Sequence, residues 1–192
     1  MYNDRCIFVS MEKRTDIITA AERVFDENGF HSVGVDTILA PSGASTRTLY
    51  KHFGSRDGLV TAVLEKRHLA FMARLEDWQA ADDPIGFLFD TQEQWMVEHG
   101  ARGCMLLRAY SEYAGANEAI AALVQQQKRE FREEIGRRVE VCIGSADTEL
   151  TNQVWLLFEG ATAAASVFDG DPIRSARRAA LDLVAVAKER LK

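Results

Sequence analysis

Gly43-Ala44-Ser45-Thr46-Arg47-Thr48-Leu49-Tyr50-Lys51-His52-Phe53 is the stretch on which the reading of this chain turns. A glycine next to a small residue makes a tight turn. Ser45 supplies the side-chain oxygen that satisfies a free N–H at a helix start. A short helix from Ser45 to about His52 follows. Leu49 and Phe53, four residues apart, share one face and point inward. Thr46, Arg47, Thr48 and Lys51 are left on the outside. A helix whose first turn is small, hydroxylated and basic fits a duplex major groove about 12 Å wide, with Arg47 against a base edge or a phosphate. From Arg47 to Arg56 the chain carries three cations and His52, with no acid, whereas Asp16, Glu22, Asp26 and Glu27 crowd the helix upstream. Three charges alone describe any solvated helix face. Their coincidence with a capped turn singles them out.

Working outward, the helical period is clear from Lys13. Ile17, Ala21, Val24 and Asn28 fall on one stripe, and Gly29 ends it. A short helix is predicted from about Val35 to Ser42, with Pro41 removing one backbone donor from its last turn. Downstream, Ser55 caps a fourth helix that keeps its period through Leu59, Val63, Leu75 and Trp78 and stops at Ala81-Asp82-Asp83-Pro84. Asp83-Pro84 and Asp171-Pro172 each read as a cap followed by a first-turn proline. Between them lie a fifth helix to His99, a sixth from about Cys104 to Tyr113, a seventh ending at Gly144-Ser145, and an eighth whose apolar pattern runs from Val154 to Phe168. A ninth carries Ile173 to Leu191. About nine helices and no convincing strand predict an all-α protein.

Composition agrees. Of the 192 residues 47% are hydrophobic and only three are proline, which favours a packed helical protein over disorder. The net charge of -6 argues against wholesale coating of nucleic acid but leaves room for one focused basic surface. Cys6, Cys104 and Cys142 stand far apart without a CxxC pair, as expected of a reducing cytoplasm. No apolar run approaches the roughly 18 residues of a membrane span, so no membrane is expected. The start of the regular period just after Met11 makes that residue a second candidate for the translation start beside Met1.

The pieces Arg14-x-x-Ile17-Ile18-x-Ala20-Ala21, Phe25, Gly29-Phe30, Val35-x-x-Ile38, Ser42-Gly43-Ala44-Ser45, Thr48-Leu49-Tyr50-x-His52-Phe53 and Ser55-Arg56-Asp57-x-Leu59 together resemble the DNA-binding head of the TetR family of transcriptional regulators. The resemblance implies a three-helix head with a helix-turn-helix, followed by a helical effector-binding and dimerisation domain. The expected boundaries are an arm over 1–12, the head over 13–56 and the effector domain over 57–192. It further implies that Thr46, Arg47 and Thr48 face the bases, that Tyr50, Lys51 and His52 meet the backbone, and that the cap Ser45 belongs to the same DNA-binding set. Thr37 would approach the duplex, and Arg56 would hold a phosphate. Gly34 departs from the pattern, because a hydroxyl cap is more usual before the second helix.

One such helix reads too few bases to find an operator alone, so a homodimer on a palindromic double-stranded operator is expected. Gly160, Ala161, Ala164 and Ala165 are small, and Val154, Leu157, Phe158 and Phe168 are bulky. These faces of the two C-terminal helices either close the body's own core or, as the resemblance implies, build the dimer. Trp78, Trp95, Met96, His99, Cys104, Met105, Tyr110, Leu123, Gln127, Phe131, Trp155 and Phe158 are candidate walls of an effector site. Each is also an ordinary core residue; as a group their aromatic and thioether surface and few polar tips suit an apolar or aromatic small molecule. Cys104, expected at a helix start beside Arg102, is either inert packing or a thiol open to electrophiles and oxidants. No metal-ligand spacing, phosphate loop or nucleophile elbow occurs, so no enzyme, metal or cofactor is expected.

Overall fold

The computed structural model describes residues 2–191, and nine α-helices with two short 3-10 turns and no strand occur among them. Helix α1 runs Tyr2–Asn28, α2 Val35–Leu39 and α3 Thr46–Phe53. Helix α4 runs Arg56–Arg74, α5 Pro84–His99 and α6 Met105–Tyr113. Helix α7 runs Glu118–Ile143, α8 Thr148–Ala164 and α9 Pro172–Arg190. The chain forms two compact units, one of residues 1–68 with 105–124 and one of 69–104 with 125–192. Helices α4 and α7 therefore each contribute residues to both. The side chain of Cys6 lies outside the described residues.

Local chemistry sets most of the ends. Asp83, Asp147 and Asp171 each accept the backbone N–H three residues on, from Gly86, Leu150 and Arg174, and the prolines at 84 and 172 follow their caps as first-turn residues. Four ends differ from the sequence reading. Helix α1 is already helical from Tyr2, well before Lys13. Helix α2 stops at Leu39, because Pro41 has no N–H to continue the ladder; Ala40–Ser42 closes as a 3-10 turn, with Gly43 left-handed at φ 60°. Helix α4 ends at Arg74, and Trp78 sits on the separate 3-10 turn Glu76–Ala80. Phe168 lies beyond the end of α8 and is 63% exposed.

In the first unit, Ile17, Ala21 and Phe25 of α1, Ile38 of α2, Leu49 of α3 and Leu59 and Val63 of α4 build a core with no solvent exposure. Met105, Ala109 and Tyr113 of α6, with Ile120 and Val124 of α7, complete it. Each buried Leu, Ile, Val or Phe contributes about 1.5–3 kcal/mol relative to exposure. This core therefore holds α3 by its Leu49 side and leaves the opposite side open.

In the second unit, Leu88 and Phe89 of α5, Phe131 and Ile135 of α7, Val154 and Phe158 of α8 and Ala180 and Val184 of α9 form a separate core. A cation lies inside it. Arg138 has no exposed surface. It donates to the carbonyls of Leu75 at 2.8 Å and Pro84 at 3.4 Å and to the Glu134 carboxylate at 3.1 Å. Trp78 and Phe87 stack over its guanidinium, 5.3 and 5.9 Å from their ring centres. Burial pulls the Arg138 pKa below the ordinary arginine value, against the attraction of Glu134.

Candidate nucleic-acid interface and body cluster

Helix α3 is fixed at both ends by its own sequence. The Ser45 side chain accepts the Thr48 N–H at 3.2 Å and shares a 2.9 Å hydrogen bond with the Thr48 hydroxyl. At the far end the Gly54 N–H donates to the Tyr50 carbonyl at 3.0 Å, with Gly54 at a positive φ of 73°. Leu49 is fully buried, while Thr46, Arg47, Tyr50 and Lys51 are exposed and Thr48 and His52 half-buried. Thr37 on α2 is exposed as well. Two contacts tie α3 and the turn before it to neighbouring helices. The Thr46 hydroxyl donates to Asp36 of α2 at 3.5 Å, and the Lys13 ammonium of α1 donates to the Ser42 carbonyl at 2.7 Å. The Arg14 guanidinium lies over the Phe53 ring, 5.3 Å from its centre. The outer side of α3 thus offers hydroxyls, a phenol and two free-standing cations in one short element.

Arg56, at the start of α4, is half-buried and has partners within the protein. It donates to the Tyr113 hydroxyl at 3.0 Å and to the carbonyls of Phe30 and, at 3.4 Å, Val33. It also lies 5.8 Å from the Phe25 ring centre. The α1–α2 connection ends in unpaired carbonyls, and a fork of N–H donors satisfies several of them at once. Burial pushes the Tyr113 phenol above its usual value, partly opposed by the Arg56 charge.

Helix α6 fastens the same connection from its own side. The Glu112 carboxylate accepts the Phe30 N–H at 3.0 and 3.1 Å and the His31 N–H at 2.7 Å. The Arg108 guanidinium donates to the carbonyls of Asp26 at 2.8 Å and Phe25 at 3.3 Å. Charged side chains of α6 thus cap both the last turn of α1 and the chain entering α2. Sequence reasoning missed this role, because Arg108 and Glu112 are more than 80 residues from their partners.

The candidate effector residues divide between the units. Met105 is buried in the first unit, where Tyr110 and Leu123 pack against its core. In the second unit Trp95, Phe131 and Phe158 come together around Phe71. Phe71 meets those three rings at 5.2, 5.7 and 6.0 Å, and Phe131 meets Phe158 at 4.7 Å. Met96 and Trp155 pack against the same core, and Gln127 is buried. His99 stacks on Trp95 at 3.8 Å. Trp78 covers the Arg138 guanidinium.

Cys104 directly precedes α6 and is half-buried. A cation at its sulfur is Lys128 of α7. The Lys128 ammonium donates to Cys104 Sγ at 3.3 Å and to Glu159 of α8 at 2.5 Å. Burial would lower the Lys128 pKa, but Cys104 and Glu159 outweigh it and hold the value above the ordinary lysine range. Cys142 packs against the second core, and burial pushes its thiol up.

Comparison with known proteins matches residues 17–63 to the family described as bacterial regulatory proteins, tetR family. The chain is 25% identical over 126 residues to the HTH-type transcriptional regulator UidR of Escherichia coli, across 66% of this chain and 64% of that protein. It is 40% identical over 105 residues to the HTH-type transcriptional activator FasR of Mycolicibacterium smegmatis, across 50% of this chain and 45% of that one. The match therefore spans less than two thirds of either relative's length. Among solved structures, SCO4454, a TetR-family transcriptional regulator from Streptomyces coelicolor, shares the fold with a TM-score of 0.77 and 23% identity over 94% of this chain and 96% of that one. Residues 17–63, folded around an outward helix α3, thus match the family of bacterial regulatory proteins, tetR family, and 94% of the chain shares the fold of a solved member.

Proposed function

We propose that the protein is a ligand-responsive repressor that grips a palindromic operator as a homodimer and releases it when a small apolar or aromatic effector binds the body. The carrying observation is α3: Leu49 is anchored in the core while Thr46, Arg47, Tyr50 and Lys51 stand outside. In this reading Thr46, Arg47 and Thr48 read base edges. Tyr50, Lys51, His52 and Thr37 meet the backbone, and Ser45 acts mainly as the helix cap. The dimer forms through α8 and α9. Its support is a shallow groove of about 630 Å³ lined by Leu156, Leu157, Leu183 and Val186, with Leu156 60% and Val186 45% exposed. Coupling runs through α4 and through α6, whose Arg108 and Glu112 hold the end of α1. An effector that favours a different placing of these helices drains the DNA-competent state. The protein acts in the cytoplasm and performs no catalysis.

The test is a gel shift on the duplex upstream of the protein's own gene. Arg47→Ala should abolish specific binding with helicity and mass in solution unchanged. Leu156→Glu with Val186→Glu should yield monomers that no longer bind. Specific binding retained by Arg47→Ala would sink the assignment. A second reading is favoured by the 3.3 Å contact between Lys128 and Cys104: modification of the thiol by an electrophile or oxidant would break that pair and act as the switch. Loss of operator binding on thiol alkylation, abolished by Cys104→Ser, would select this reading over a reversible effector.

A further inference from the structure

The aromatic cluster of the second unit carries three polar atoms that the protein leaves unmatched. Gln92 Oε1, Gln127 Oε1 and Trp155 Nε1 are buried without a hydrogen-bond partner among the described residues. Gln92 and Gln127 are only 2% and 3% exposed. For Gln92 the orientation of the amide is fixed by its neighbours. The Thr162 hydroxyl spends its hydrogen on the Phe158 carbonyl at 3.0 Å. Both Phe158 O and Thr162 Oγ1 can then only accept from Gln92, and they do so from Nε2 at 2.9 and 2.7 Å. The oxygen of Gln92 is therefore a true leftover acceptor. Helix spacing puts the three side chains on the faces that carry the rings: Gln92 is three residues before Trp95, Gln127 four before Phe131 and Trp155 three before Phe158. Buried polar groups are almost always paired, so three on the faces that carry an aromatic cluster call for a water or a ligand to complete them.

Charge narrows the class. The Arg74 guanidinium lies 5.0 Å from the centre of the Trp95 ring and is tied to Glu98. Lys128, next to Gln127, is tied to Glu159 and Cys104. Both cations are thus neutralised, and what remains unmatched is two carbonyl oxygens and one indole N–H.

We propose that the effector is an uncharged, flat aromatic molecule with a hydrogen-bond donor and an acceptor on its rim, the lactam edge of a bicyclic heteroaromatic being the minimal case. Its N–H or O–H goes to the Gln92 and Gln127 oxygens, and its acceptor takes the Trp155 N–H. A bare hydrocarbon leaves these groups unpaired, and a carboxylate meets two oxygens with no spare cation. The inference deepens the effector-binding reading and rests on it.

The experiment is calorimetric titration of the full chain with 2-quinolinone, its N-methyl derivative and 2-naphthoate. 2-Quinolinone should bind at least about tenfold more tightly than the N-methyl compound, and 2-naphthoate more weakly still. Gln127→Met should erase much of that preference and raise the Tm of the unliganded protein by about 2–4 °C, because it removes an unpaired buried acceptor. Equal binding of the methylated compound, tighter binding of the anion, no binding of 2-quinolinone at about 1 mM, or a lowered Tm in Gln127→Met would each overturn the proposal. Calorimetry needs no DNA, so a chain that fails the gel shift yet shows this selectivity sinks only the repressor reading. A chain released from its operator by a charged ligand sinks only this one.

Discussion

Replacing Arg56 by alanine separates two physical roles for one cation. If Arg56 acts where the structure puts it, the cost falls on folding. Its fork makes charge-assisted bonds to the Tyr113 hydroxyl and the Phe30 carbonyl, and a longer one of 3.4 Å to Val33. Charge-assisted hydrogen bonds contribute about 1.5–3 kcal/mol each. Arg56 is only half-buried, and water can reach part of the vacated site. The expected loss is therefore about 2–4 kcal/mol, or a fall in Tm of roughly 5–15 °C. Arg56→Lys keeps the charge but replaces a planar fork with a point donor and should recover only part of this. If Arg56 instead held a phosphate, stability would stay within about 0.5 kcal/mol, and the slope of log affinity against log salt would fall by about 0.9 for each lost contact, twice over in a dimer. Urea unfolding of the free chain reads the first quantity. Salt titration on a random duplex at low temperature reads the second, with Arg47→Ala as the control that should lose slope without losing stability. An Arg56→Ala chain with an unchanged urea midpoint and a reduced slope would refute the clamp.

Two further outcomes follow from the buried charges of the second unit. Arg138→Ala leaves the buried Glu134 carboxylate with Arg137 alone and strips the donor from the Leu75 and Pro84 carbonyls; it should cost about 2–4 kcal/mol by urea unfolding, whereas Arg138→Met combined with Glu134→Leu should cost less, and equal losses would show that the pair itself is not the cause. Lys128 has its folded pKa raised above the ordinary 10.5, so its contribution is complete below that value and is lost as pH rises through the folded value. Melting curves above pH 10.5 should therefore fall more steeply for the natural chain than for Lys128→Met, and parallel curves would contradict the linkage.

What the sequence determined by itself was everything carried by neighbours along the chain. Ser45, Asp83 and Asp171 cap the helices they precede, and Gly43 turns where a left-handed residue is needed. Leu49 faces in and Arg47 faces out, because a 3.6-residue period fixes which side is which once the core side is known. Pro41 was visible as a missing donor, though its effect of closing α2 as a 3-10 turn needed the backbone itself. Tertiary structure alone decided the fate of long polar side chains. Arg56 lies next to the basic helix in sequence, yet Phe30, Val33 and Tyr113 claim it. Trp78 has the composition of a pocket wall, yet it covers Arg138. A cation reaches Cys104 from α7, 24 residues along the chain. Flexible side chains several bonds long choose among partners that folding brings from dozens of residues away. Local spacing records only which face they leave from, not which acceptor they reach.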